Sequence, residues 1–177
     1  MPERGGGVYK KKKRRAYTRQ SEKKPRKSYV KGVPGAKIHQ FEAGDRKRKF
    51  ELEFSLIAEK DVQIKHNALE AARVAANKKL VKSGIPYFLK IRVYPHHVLR
   101  ENPLATGAGA DRFQEGMTRA FGKPIGTAAR VDKHQKIMSI RMDSGNERIA
   151  KDALRRARMK FPVSCRTVVD HLKKKNK

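Results

Sequence analysis

Residues Val62–Pro95 read VQIKHNALEAARVAANKKLVKSGIPYFLKIRVYP, and most of the architecture follows from this stretch. Ala and Leu dominate Ala68–Val81, with Leu69, Ala72, Ala76 and Leu80 falling on one face at helical spacing. Asn67 followed by Glu70 resembles a capping box, Lys78, Lys79 and Lys82 suit the negative end of a helix, and Gly84 stops it. The small side chains of that face predict close packing against a sheet. Phe88–Tyr94 then changes period: Leu89, Ile91 and Val93 alternate with Lys90, Arg92 and Tyr94, and Pro95 closes a strand with one face toward solvent or a ligand.

The same periodicities extend outward. Upstream, Phe50, Leu52, Phe54 and Leu56 alternate with Glu51, Glu53 and Ser55, which reads as a half-buried strand with its polar residues facing out. Downstream, Ala128–Val131 and Lys136–Met142 read as strands joined in a hairpin by Asp132–Gln135. Ser144–Lys160 is a helix with Ile149, Ala153, Leu154 and Ala157 apolar and Arg148, Lys151, Arg155, Arg156 and Arg158 cationic; Pro162 ends it, and Val163–Val169 is a last alternating strand. The expected fold is α+β, a mixed or antiparallel sheet packed with two main helices, preceded by an extended basic N-terminal arm. The arm spans residues 1–37, the folded domain 38–170 and a basic tail 171–177.

The chain has 177 residues with 45 Lys and Arg against 17 Asp and Glu, a formal charge of +28, and 37% hydrophobic residues, enough for one lean core. No apolar run approaches the roughly 18 residues of a membrane span, and no apolar segment follows the basic N-terminus, so neither membrane insertion nor export is expected. A lone cysteine, Cys165, rules out an internal disulfide and cysteine-based zinc sites, and fits a reducing, cytosolic compartment. Its place in an alternating strand makes it a core or strand-face residue without an activating neighbour.

Residues 1–49 carry a net charge of +14, half of the excess in about a quarter of the chain. Lys10, Lys11, Lys12, Lys13, Arg14 and Arg15 are six consecutive cations that repel one another and require an anionic partner to become ordered. The rest of the chain is basic too, and a polyanion such as RNA accounts for both halves, whereas no amphipathic lipid-binding helix accompanies the run. Tyr9, Tyr17 and Tyr29 interrupt the arm's cations, Arg19 adds another, and Gly5, Gly6, Gly7, Pro25, Gly32, Pro34 and Gly35 keep it non-helical. Tyrosines so placed either stack on splayed bases or dock on the protein's own core.

Residues 101–116 contain Pro103, Gly107, Gly109 and Gly116 and almost no large apolar side chain, which reads as a long exposed loop passing into a short helix near 112–121. Loops of that length without structure of their own are usually functional, and Arg100, Arg112, Arg119 and Lys123 bracket this one.

Catalytic readings find little support. Gly116–Lys123 is not a phosphate-binding P-loop, because five residues separate Gly116 from Gly122 where four are required and Pro124 replaces the magnesium-holding hydroxyl. Adjacent His96 and His97 point to opposite faces of an extended chain and do not chelate one metal. An RNA-processing enzyme built on His96, His97 and Asp111 lacks a second carboxylate or nucleophile. No cofactor and no metal are expected.

Longer strings carry more specific information: VQIKHNALEAARVAANK (Val62–Lys78), RVYPHHVLRENP (Arg92–Pro103), GADRFQEGMTRAFGKPIGTAARV (Gly109–Val131) and MKFP (Met159–Pro162), with AYTR (Ala16–Arg19) and GVPGAKI (Gly32–Ile38) extending the match into the arm. Together they resemble the large-subunit ribosomal proteins of the archaeal and eukaryotic L-ten-e type, counterparts of bacterial L-sixteen, from about Ala16 to Val169. The resemblance implies a structural, non-catalytic protein of the cytoplasmic ribosome that binds large-subunit ribosomal RNA beside the aminoacyl-tRNA site, with that tRNA and neighbouring large-subunit proteins as partners. It implies that the loop Glu101, Asn102, Pro103, Leu104, Ala105, Thr106, Gly107, Ala108, Gly109, Ala110 and Asp111 approaches the peptidyl-transferase centre. It also implies that Arg100, Arg112, Arg119, Lys123 and Arg130 contact ribosomal RNA or help position the tRNA acceptor arm. The arm cations and the helical Arg155 and Arg156 complete the expected RNA-binding set through their charge. At Glu3–Arg15 and Gln20–Lys31 the chain departs from the family, and there only charge is carried over. A free-standing RNA- or DNA-binding protein is the reading that composition alone does not separate from this one.

Overall fold

The computed structural model describes residues 6–12, 30–102, 108–109, 117–118 and 120–172. Two antiparallel sheets and two long helices make the α+β fold that the periodicities imply. One sheet has five strands: β1 (Glu42–Gly44), β2 (Leu52–Ala58), β4 (Phe88–Ile91), β7 (Lys136–Met142) and β8 (Cys165–His171), in the order β1-β4-β7-β2-β8. The other has three: β3 (Val62–Lys65), β5 (His97–Glu101) and β6 (Lys123–Val131), in the order β3-β6-β5. Helices α2 (His66–Ser83) and α3 (Glu147–Arg158) pack on each other, and α3 lies against β2, β7 and β8. None of the described helices is long and apolar enough to cross a membrane.

The expected face of α2 is buried: Leu69, Ala72, Ala76 and Leu80 are all inaccessible, and Gly84 ends the helix in the left-handed conformation, its N–H donating to the Val81 carbonyl. Two details differ from expectation. The helix begins at His66 without a side-chain cap, and Glu70 reaches Arg73 at 2.6 Å instead of closing a capping box; the Arg73 hydrogen bond holds its carboxyl below the ordinary range. The small face also meets a partner that the sequence does not announce, α3, which presents Ala150, Ala153 and Ala157 in return, and alanines on both sides let the backbones approach. Ala153→Leu should therefore overpack this contact and cost about 1–3 kcal/mol, measured as a lower urea midpoint with an unchanged slope.

Strand β2 also departs from its alternating pattern. All seven of its residues are buried, including Glu53 at 4% exposure and Ser55, so its polar residues do not face out. The physical reason is its position between β7 and β8. Leu52, Phe54 and Leu56 face the helices, while on the opposite side Arg141, directly across from Glu53, and Arg92 reach over the sheet and bind the carboxylate. Arg141 Nε donates at 2.8 Å, Arg92 Nη2 pairs with the other oxygen, and Arg92 Nε donates to Ser139 Oγ at 3.0 Å. Long cationic side chains thus cover this face.

The expected hairpin is absent: β6 and β7 lie in different sheets. β2 pairs with β7 and β3 pairs with β6, so the chain crosses between the sheets twice, side by side, at 58–62 and 131–136. Hydrogen bonds tie the crossings together, from His134 N–H to the Ala58 carbonyl at 2.8 Å and from Ala58 N–H to Gln135 O at 3.1 Å. The 92–96 segment crosses as well and feeds β5, a strand that the alternation does not announce; Glu101 is its last residue and not part of the loop. The last strand is as expected and lies at the edge, paired along its length with β2 and reaching His171. Cys165 is buried, and burial pushes its thiol up to about 11, which leaves it unreactive. At the other end of the chain, Gly6–Tyr9 form one helical turn, α1, in a segment expected to be non-helical, because docking on β3 outweighs the glycines' preference.

Candidate nucleic-acid interface

The three-stranded sheet collects most of the expected RNA-binding residues that the structure describes. Its outer strand β3 receives the arm: Gln63 N–H donates to the Lys10 carbonyl at 2.9 Å, Gln63 Nε2 to the Tyr9 carbonyl at 3.0 Å, and the Lys65 ammonium lies 5.1 Å from the centre of the Tyr9 ring. Lys12 pairs with Asp132 in the β6–β7 crossing. The Lys12 charge is thus neutralised internally, whereas Lys10 and Lys11 are exposed. Backbone and ring contacts seat this piece of the arm on β3. Of Tyr9's two sequence readings, docking on the protein itself is the one the structure adopts. Lys13, Arg14, Arg15, Tyr17 and Arg19 lie outside the described residues.

Strands β5 and β6 carry the next group. Arg130 faces Gln63 across the β3–β6 pair, and His97 lies opposite Ala128. His97 is buried, and burial together with the Arg130 charge holds its pKa below the ordinary value, which keeps the ring neutral at physiological pH. His96 is exposed, so the two histidines do face apart, and they assemble no acid–base pair. Lys123 opens β6 and faces Glu101 across the sheet, at the point where the chain enters and leaves the 102–122 connection.

That neck is tightly built. The Arg100 guanidinium sits 3.5 Å from the centre of the Phe121 ring, and its Nη2 donates to the Gly122 carbonyl at 2.5 Å. Gly122 has φ +78°, and a Cβ there would lie 2.5 Å from the Glu101 carbonyl group, so only glycine fits. Of the expected loop, Glu101, Asn102, Ala108 and Gly109 are described. Pro103, Leu104, Ala105, Thr106, Gly107, Ala110 and Asp111 lie outside the described residues, as do Arg112 and Arg119.

A second cationic group stands apart, where the two helices meet. Asp152 on α3 lies 3.0 Å from Lys79 of α2, 3.3 Å from Arg155 and 3.6 Å from Arg156. The Lys79 hydrogen bond is the main cause that holds its carboxyl below the ordinary range. One carboxylate thus gathers three cations, leaving a local excess of positive charge on an exposed helix surface that suits a phosphate. Sequence reasoning places Lys79 only at a helix end; its partnership with Arg155 and Arg156 depends on the helix–helix contact. Phe121 is likewise missed, because nothing in the local sequence separates it from Phe113 in the same connection.

The family described as Ribosomal protein L16p/L10e matches residues 12–168. A protein of Picrophilus torridus named large ribosomal subunit protein uL16 is 52% identical over 146 residues, 81% of this chain and 83% of the relative. The protein of that name from Archaeoglobus fulgidus is 48% identical over 82% of this chain and 84% of its own. That from Methanosphaerula palustris is 45% identical over 97% and 96%.

Proposed function

The chain belongs to the ribosomal protein L16p/L10e family, as a structural component of the large ribosomal subunit and not an enzyme, and from that premise we propose how it meets RNA. It binds large-subunit ribosomal RNA through the arm and the three-stranded sheet, with the Lys79, Arg155 and Arg156 group as a second phosphate contact. The 102–111 loop reaches toward the aminoacyl-tRNA site beside the peptidyl-transferase centre and helps position the acceptor arm. Catalysis there belongs to RNA. The observation that carries this reading is that one small sheet carries cations at both ends, Arg100 and Lys123 at the base of the connection holding the loop, and Arg130 with Lys10 of the docked arm at the far end of β6. Cations from three distant stretches of chain share this sheet because β3, β5 and β6 are neighbours.

Gradient fractionation of cell extract tests the ribosomal part: the chain should sediment with large subunits and polysomes and leave them in high salt, while confinement to the free fraction would favour a solitary RNA binder. Chemical footprinting of aminoacyl-site tRNA on subunits with and without the chain tests the loop. Protection of the acceptor arm should require the chain; identical footprints would remove the tRNA from its partners.

A further inference from the structure

The turn after the loop exposes two large apolar side chains, Met117 at 74% and Phe121 at 70%. An isolated exposed apolar residue needs no explanation. Phe121 differs in being held: the Arg100 guanidinium lies over one side of its ring, and the Arg100 bond to Gly122 fixes the adjoining backbone. Both anchors stand at strand ends of the three-stranded sheet, so the ring is presented from a rigid base. Its high exposure leaves the side away from Arg100 open.

A flat, open aromatic side suits another flat π system. A guanidinium on one side satisfies the ring's negative quadrupole and leaves the opposite side for stacking. The surroundings select the partner: Lys123 is exposed two residues on, and the chain carries +28, so a polyanion is drawn to this neck more readily than an apolar protein segment. An unpaired nucleobase combines the flat π surface with the attached phosphate.

We propose that Phe121 is the platform for one unpaired nucleobase of the bound RNA, in a three-layer stack of Arg100, Phe121 and base that pins the neck of the 102–122 connection. The proposal rests on the reading of the chain as an RNA-binding ribosomal protein and names the chemistry of one contact within it: stacking rather than phosphate neutralisation.

The test uses the full chain rebound to large subunits from which it has been removed by salt. Phe121→Tyr keeps a ring and should bind within about two-fold of the original, while Phe121→Leu should bind on the order of ten-fold more weakly with an unchanged salt slope, as loss of one base–aromatic stack requires. Phe121 is exposed, and equal thermal midpoints confirm that both variants fold. Independently of any variant, ultraviolet irradiation of the original complex should join a nucleotide to residue 121, identified by mass spectrometry. Normal rebinding of Phe121→Leu without a nucleotide adduct would overturn the platform while leaving RNA binding intact. A peptide adduct at residue 121 would overturn it in favour of a protein partner. Failure of the original chain to rebind would overturn the RNA reading and the platform with it.

Discussion

Raising monovalent salt from about 50 to 200 mM should weaken rebinding of this chain to depleted large subunits by roughly four powers of ten. Each neutralised phosphate releases condensed counterions, and about eight contacts give a logarithmic slope near −6 to −7. The structure bears on which cations count. Lys12 is neutralised one to one by Asp132 and should leave the slope nearly untouched when substituted by Gln, whereas Arg92 and Arg141 share the single Glu53 carboxylate and keep one net positive charge between them. Arg155 and Arg156 share one carboxylate with Lys79 and retain an excess of charge. The double substitution Arg155→Gln, Arg156→Gln should make the slope shallower by about 1.5. A slope that ignores these two arginines would exclude the helix surface from the RNA contact, and a slope near zero would remove phosphate neutralisation as the basis of binding.

Replacing Glu53 by Ala should cost about 3 kcal/mol of folding stability, the low end of the range for breaking a buried ion pair. The low end applies because the Arg92 and Arg141 side chains remain 32% and 38% exposed and can rehydrate. Burial alone would raise the Glu53 pKa; the Arg141 hydrogen bond and the charges of Arg92, Arg141 and Lys136 outweigh it, and the carboxyl ends below its ordinary 4.5. The sign of the pH effect follows. A depressed folded pKa means that Glu53 contributes its stability above about 4.5, the unfolded value, and loses it as pH falls through the lower folded value. Urea titrations at stepped pH should show a steeper acid loss for the original chain than for Glu53→Gln, which keeps the shape but not the charge. Parallel acid limbs would mean that the arginines do not stabilise the ionised form. Because this cluster lies on the five-stranded sheet, Glu53→Gln should rebind subunits normally at neutral pH.

How far the site was legible depended on the kind of information each residue carries. The positive face of α3 could be read directly, since a helix displays its period in the sequence. Arg100 and Lys123 were picked out because they bracket the long loop, and Arg130 only through resemblance, because a single cation within a strand has no periodic signature. The grouping of Lys79 with Arg155 and Arg156, and the seating of the arm on β3, had no local signal at all: they join residues about 75 and 50 positions apart in the chain.

By itself, the sequence determined the class of the molecule: a polycation with an α+β core, the two amphipathic helices, the strands around Phe54, Leu89 and Ile140, and the Gly84 stop. Those are nearest-neighbour properties, set by residue period, backbone preference and charge density. Only the tertiary structure decided that β6 and β7 belong to different sheets, that Glu53 and Ser55 are interior, and that α2 lies on α3. A strand's alternation says that one face is apolar, but what covers the other is settled by its surroundings, and over β2 Arg141 of the neighbouring β7 and Arg92 of the 92–96 crossing close on Glu53. In the same way, 131–136 could turn back on itself or cross to a second sheet with equal local ease. The hydrogen bonds to Ala58, contributed by a crossing more than 70 residues earlier, select the second.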